Sequence, residues 1–375
     1  MTSRNSPVVM FGSGRPVTCA IMDYARRLCS AINAQRPGFV SIQNIEPRDP
    51  IAFVSAIVGV LRAGRTAHFQ LPIEGWGNNI LPGSALMAAR SATRSGRAVV
   101  TLHEWMSLNP LRYLSTVPDI LAADAFVFVS PRQREAFLST PLVGAAKKLS
   151  APVIAIGPNV MPTVIDADLV ARERGKTRGV GDARADVVVG YFGVLYASKQ
   201  PGILLHTLKA LIDLRVKARL LVCGDFLWDK PADRDAFFRL ARELGVADWL
   251  DFRGRIDDQN ELMATLSAAD VFLLPFSDGV SVRRGSFQAL SQLAIPLVTT
   301  RPDRSDEFDQ SIPLKAKIEN AATALVPIGA GPDAFANAIL TALAHKDEAI
   351  GVDLSDSWDD AASAHLAFYD RVIGR

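Results

Sequence analysis

Short apolar runs recur along this chain, and each is followed by a stretch with helical spacing. In the first half the runs are SPVVMFG, TAHFQL, AVVTLHEW, AFVFVS and VIAIGPNV. After the first of them, VTCAIMDYARRLCSAINAQ places Ile21, Tyr24, Leu28 and Ile32 on one helical face. This alternation is the sequence sign of a parallel sheet covered by helices. One such unit is expected over residues 1–162. ARERGKTRGVGDARAD is charged and lacks an apolar stripe, so residues 163–186 read as a linker or surface insertion. The alternation then restarts with VVVGYFG, ARLLVCGD, WLDFRG, DVFLLPF and IPLVTT, over residues 187–345. A last amphipathic helix with Trp358, Ala362, Leu366 and Tyr369 is expected within residues 346–375. The fold class is α/β, with two doubly wound, Rossmann-like domains facing a cleft, where ligands sit outside the carboxyl ends of the strands.

Composition narrows the setting. The longest apolar run, PIAFVSAIVGVL, is shorter than the roughly 18 residues that cross a bilayer. The opening MTSRNSPVVMFGSG lacks the apolar core of a secretory signal. The three cysteines, Cys19, Cys29 and Cys223, show no metal spacing and suit a reducing compartment, so a cytoplasmic location is expected. The net charge is +2, but it is unevenly spread. Residues 1–160 hold 16 Lys and Arg against 8 Asp and Glu. A basic half attracts anionic surfaces, whether lipid headgroups, phosphates or nucleic acid.

Candidate chemistry clusters at strand ends. Gly12 and Gly14 in GSGRP allow backbone amides to approach a phosphate at a helix start. The dinucleotide pattern wants a third glycine where Val17 stands, so a nicotinamide site is disfavoured. His103 follows VVTL and is placed to meet a sugar hydroxyl or phosphate, or to act as a base; Glu104 adjoins it. Lys199 follows VVVGYFG at the start of a helix, where it adds a point charge to an anion site. The loop SDGVSVRRG carries Asp278, Gly279, Ser281, Arg283 and Arg284. Its glycine permits close approach, and its arginines can fork onto phosphate oxygens. Each loop taken alone reads equally as a tight turn or a solvated surface. No metal-ligand spacing, nucleophile-elbow motif or nucleic-acid motif is present.

The ordered set of motifs resembles the GT-B glycosyltransferases, close to the retaining family 4, across nearly the whole chain. FGSG, VVTLHEW, ADAFVFVSPRQREAF, VIAIGPNV, VVVGYFGVLYASKQP, ARLLVCGD, LDFRGRIDDQNELMATLSAADVFLLPFSDG and AIPLVTT follow in that family's order. DGVSVRRG, with the loop HFQLPIEGWGNN, resembles a variant in a bacterial branch of these enzymes.

The resemblance implies an N-terminal acceptor domain, a C-terminal donor domain and a final helix that crosses back. It implies hexose transfer with retention from a nucleotide-diphosphate sugar, with no metal or other cofactor. The acceptor would be a glycan or a lipid-diphosphate-linked molecule, in cell-surface polysaccharide synthesis at the inner membrane face. Catalytic roles would fall on His103 and Asp278. Donor contacts would fall on Gly12, Gly14, Gly193, Lys199, Gly254, Arg255, Gly279, Ser281, Arg283 and Arg284. Arg15, Glu74, Trp76 and Glu104 would face the acceptor. Two departures stand out. Val194 replaces the family's arginine, and no glutamate lies between Glu261 and Glu307 where the family has two. A non-catalytic nucleotide-sugar-binding protein and a nucleotide-sugar epimerase are the alternative readings.

Overall fold

The computed structural model describes residues 6–13, 19–46, 49–106, 108–140, 151–161, 166–179, 184–226 and 231–374. In chain order the elements begin β1 (Val8–Gly12), α1 (Ala20–Gln35), β2 (Val40–Asn44), α2 (Pro50–Arg62) and β3 (Thr66–Leu71). Then come α3 (Leu81–Ala92), β4 (Arg97–Leu102), α4 (Pro110–Ala122), β5 (Ala125–Phe128) and α5 (Pro131–Leu138). After these come α6 (Ala167–Arg178), β6 (Val187–Phe192), α7 (Pro201–Asp213), β7 (Ala218–Cys223), α8 (Pro231–Glu243) and β8 (Leu250–Gly254). The rest are α9 (Gln259–Leu266), β9 (Val271–Leu274), α10 (Gly285–Ser291), β10 (Leu297–Thr300), α11 (Ile312–Glu319), β11 (Thr323–Val326), α12 (Pro332–Ala344) and α13 (Ser357–Ile373).

The chain divides into two compact units, Met1–Asn159 with Ser355–Arg375, and Val160–Leu354. Each holds one all-parallel sheet. The first sheet has the order β2-β1-β3-β4-β5, the second β11-β10-β9-β6-β7-β8. Both are doubly wound orders. The second, reading from β8, is the dinucleotide-fold order with two halves meeting at β6 and β9. The chain leaves β1 in one direction to β2 and in the other to β3, and it does the same at β6 for β7 and β9. Those two crevices are where such sheets bind ligands.

Packing explains why these segments fold as they do. Every residue of β1, β3 and β5 is buried, so these strands read as apolar runs rather than as alternation. Helices α2 and α3 turn Phe53, Ile57 and Leu86 onto one face of the first sheet. On the other face Tyr24, Leu28 and Ile32 of α1 meet Trp358, Ala362, Leu366 and Tyr369 of α13. Arg36 clamps Asp370 with two hydrogen bonds of 2.8 and 3.0 Å, and Trp358 donates to the Pro158 carbonyl at 2.9 Å.

Two expectations need correction. Residues 167–178 form helix α6 rather than a linker. This helix turns Glu173 and Thr177 inward, where Arg253 meets both at 3.0 and 3.2 Å, so its buried stripe is polar. VIAIGPNV forms no strand; it contributes one bridge, Val153 to Phe128. The longest apolar run, PIAFVSAIVGVL, forms α2, with its outer positions left in solvent. Among the described residues no helix is long and apolar enough to cross a membrane.

Candidate functional site

In the second unit, the loops after β6 and β9 carry the most unusual chemistry. Lys199 closes a short turn before α7, and it is only 6% exposed. Its ammonium donates to Ser286 Oγ at 2.8 Å and lies 4.2 Å from the centre of the Phe276 ring. Arg284 is 8% exposed and sets its guanidinium 4.8 Å from the same ring. Two cations thus share one aromatic ring in a dry environment, where cation–π contact partly replaces lost water.

The carboxylate nearest this pair is Asp278, which is ion-paired with Arg284. Lys199 is hydrogen-bonded to a hydroxyl, not to an acid. Burial pushes its pKa well below the usual lysine value; Arg284 and Arg283 lower it further, while Asp278 raises it. A buried cation without an acid of its own is costly. Such a group commonly marks a place where an anion binds. Arg284 Nε and Ser281 Oγ are also buried and lack a hydrogen-bond partner among the described residues.

The backbone around this cluster is closely fitted. Gly193 adopts φ +126°, and a side chain there would come within 3.3 Å of Ser286 Cβ. Gly279 adopts φ +83°, and an added Cβ would lie 2.6 Å from the Arg301 carbonyl oxygen. The Ser277 amide donates to the Ser198 carbonyl at 3.0 Å, tying the two loops together. Glu307 is buried and accepts from the Val282 amide at 3.3 Å, so it holds the arginine loop from below. Sequence reasoning missed this residue, which enters from beyond β10. A cavity of about 270 Å³ opens beside the Lys199 turn, lined by Tyr196, Pro201, Phe226 and Phe237 with Asp233 at its edge. Gly254 ends β8 at φ +68°, and Arg255 is exposed and paired with Asp257 at 2.6 Å.

In the first unit, His103 follows β4 and is buried. Its Nε2 lies 2.9 Å from Gln70 Oε1. A carbonyl oxygen only accepts, so Nε2 carries the proton. Gln70 Nε2 points to His68 Nε2 at 3.3 Å, and His68 Nδ1 meets the Tyr369 hydroxyl at 2.6 Å. Thr101 Oγ1 lies 2.8 Å from the same His68 Nε2. The Gln70 amide therefore couples the two rings: His68 accepts where His103 donates. Burial, with His365 and His103 nearby, pushes the His68 pKa well down, so His68 stays neutral. Tyr24 packs edge-on against the His103 ring, with centroids 4.7 Å apart. His68 and Gln70 sit at alternate positions of β3, and Gln70 pairs in register with Thr101. That spacing of polar residues inside an apolar strand was the available signal for the relay.

Gly12 closes β1, where its carbonyl accepts from the Ile45 amide at 2.8 Å. Gly14 and Arg15 lie outside the described residues. Glu74 begins a short 3-10 turn. Trp76 is buried against Phe53 and Phe69, and its Nε1 donates to the Ile45 carbonyl at 3.2 Å, which places it in the core. Glu104 is half-buried beside His103. Among the described residues, no three His, Cys, Asp or Glu side chains gather as a metal site.

Residues 186–345, which span the second sheet, match the family described as glycosyl transferases group 1. No curated protein matches the sequence. Solved structures match over nearly the full length. HepE from Anabaena, in complex with UDP and glucose, is 16% identical, with 99% of this chain and 98% of that chain covered at TM-score 0.63. Sucrose-phosphate synthase from Thermosynechococcus elongatus is 18% identical, covered over 99% and 100%, at 0.65. The catalytic domain of starch synthase IV from Arabidopsis thaliana, bound to ADP and acarbose, is 14% identical, covered over 98% and 99%, at 0.65. The chain shares with these structures the GT-B fold of two parallel-sheet α/β domains.

Proposed function

We propose that the protein moves a hexose from a nucleotide-diphosphate sugar to a glycan or lipid-linked acceptor, with retention and without a metal, in cell-surface polysaccharide synthesis at the inner face of the membrane. The observation that carries this reading is the buried Lys199–Arg284 pair over Phe276, with Lys199 bonded to a hydroxyl rather than an acid. As the glycosidic bond breaks, the leaving diphosphate gains negative charge. Cations already fixed in a dry site stabilise that charge without reorganising. Arg283, on the same loop as Arg284, adds a third positive charge to the cluster and takes up the role that Val194 cannot fill. The complexes of HepE with UDP and UDP-glucose support a uridine nucleotide as the first donor to try.

His103 is assigned to the sugar, with Nε2–H committed to Gln70. A Gln70→Leu substitution is expected to lower kcat by about 10- to 100-fold with little change in the donor KM, because the ring loses its fixed tautomer. A Gln70→Glu substitution is expected to raise the His103 pKa, since an adjacent carboxylate favours imidazolium. The pH profile of kcat/KM and imidazole ¹⁵N shifts would report both changes. Identical profiles in all three proteins would remove Gln70 from the account.

One observation favours a second reading, a protein that binds nucleotide sugars without turning them over. Asp278 is occupied by Arg284, and Ser286 stands eight residues later, bonded to Lys199. Neither offers the uncommitted carboxylate that the family resemblance would lead one to expect. The separating experiment incubates purified protein with UDP-, GDP-, ADP- and dTDP-hexoses and follows nucleotide release and product anomer by NMR. Release of a nucleoside diphosphate with an α-linked product from an α-donor supports transfer with retention. Binding without release supports the second reading.

A further inference from the structure

Helix α4 buries Ile120 and Ala122 in the core of the first unit, but its other inward positions are polar. Its buried residues include Ser115, Thr116 and Asp119, while Leu111, Leu114 and Leu121 are 66%, 60% and 58% exposed. Steps of three and seven keep those leucines on a single stripe, with the half-buried Pro118 between them. A helix covering a sheet ordinarily turns its leucines inward. The neighbouring surface continues the pattern. Helices α2, α3 and α4 pack side by side over one face of the first sheet. Ile51 on α2, Met87 on α3, and Ile80 and Met106 in the flanking loops are exposed as well.

The charge on the same layer is mainly basic. Within α2, α3 and α4 the only acid is Asp119, which faces inward; Asp49, which caps the start of α2, is exposed. Arg62 and Arg94, at the ends of α2 and α3, are exposed. A second copy or a neutral apolar partner would tolerate carboxylates scattered among the leucines. An anionic surface favours an excess of positive charge, and residues 1–160 carry 16 Lys and Arg against 8 Asp and Glu, with Asp49 the exposed acid beside Ile51.

We propose that this leucine stripe docks the first unit on an anionic lipid bilayer. The leucines enter the acyl boundary, and the arginines meet headgroup phosphates. The surface would bring the protein to an acceptor carried on a lipid diphosphate; only that last step rests on the proposed function.

The test is co-sedimentation of the full chain with vesicles of phosphatidylcholine, alone or mixed with phosphatidylglycerol. The wild type is expected to bind the mixed vesicles and to be released by salt. A Leu111→Asn/Leu114→Asn double variant is expected to bind about 10-fold more weakly, having lost two inserted side chains. Both positions are exposed, and an unchanged melting temperature would show the variant to be folded. No binding by the wild type, or equal binding by the variant, overturns the proposal. A variant that changes only the sedimentation-velocity mass overturns it too, because the stripe is then an interface between copies. Vesicle binding by a protein that transfers no sugar would leave this inference standing and remove the functional one.

Discussion

Replacing Lys199 with methionine is expected to cut donor turnover by about 10²- to 10³-fold, the usual cost of removing one group that stabilises developing charge. The same change is expected to make the ligand-free protein more stable. Lys199 is buried among other positive charge, and its pKa is held well below the ordinary lysine value. The sign follows from linkage. With the folded pKa depressed, stability is lost as pH falls from the unfolded lysine range toward the folded value, so Lys199 opposes folding at neutral pH. Methionine fills similar volume without a charge. Exchanging buried charge for an apolar side chain commonly gains about 1–4 kcal/mol. For a unit of this size that is a rise in melting temperature of a few degrees, at about 2–4 °C per kcal/mol. Lost activity with raised stability is the pattern of a functional site. A variant both inactive and less stable would instead make Lys199 a structural lysine. Assaying turnover beside thermal melts at pH 7 separates the two.

A second large effect is expected at Asp119. Its carboxyl is fully buried on the inner side of α4, packed against Gly83, and burial pushes its pKa up to about 8. A raised folded pKa gives stability that is complete below the unfolded value, near 4, and is lost as pH rises toward 8. The native carboxyl therefore stays protonated where the unfolded one ionises. At pH 7 the cost is about 4 kcal/mol, some three pKa units. Asp119→Asn keeps the shape and cannot ionise. The variant is expected to be more stable than the wild type at pH 7–8 and equal to it near pH 4. Urea titrations at pH 4.5 and 8 would measure this. Parallel pH dependence in the two proteins would mean that the Arg112 side chain, which borders the same small cavity, holds Asp119 ionised.

The layering of the fold was readable because strands buried on both faces leave continuous apolar runs. DVFLLPF and AFVFVS could hardly be anything else in a chain with helices between them. Helix α6 escaped notice for the opposite reason. Its inward positions, Glu173 and Thr177, are satisfied by Arg253, which is distant in sequence. Amphipathicity records only apolar burial, so a polar contact of this kind leaves no periodic trace. β2 was missed because its exposed end dilutes a short pattern, and β11 because it has only four residues with a half-buried middle.

The candidate site divides along the same line. Lys199, Arg284, Asp278 and His103 each announced themselves by type and by position at a strand end. What made them a site could not be read from one strand at a time. Phe276 under both cations looked like the end of an apolar run, and Ser286 offered only its spacing of eight residues from Asp278. Gln70 and His68 lay hidden inside TAHFQL, where their hydrogen-bond partners come from β4 and α13. Glu307 reaches the arginine loop from well downstream in the sequence. Pairing across elements carries the chemistry, and composition within elements does not record it.

The central claim is that Lys199 and Arg284 form an anion site for a nucleoside diphosphate. Thermal melting of the wild type with UDP, GDP, ADP and dTDP tests it most directly. A ligand at 100 times its dissociation constant adds about 2.7 kcal/mol, a shift of roughly 5–10 °C for a domain of this size. At least one nucleotide is expected to give such a shift in the wild type and none in Lys199→Met or Arg284→Ala. Shifts of equal size in the wild type and both variants, or no shift with any of the four, would contradict the claim.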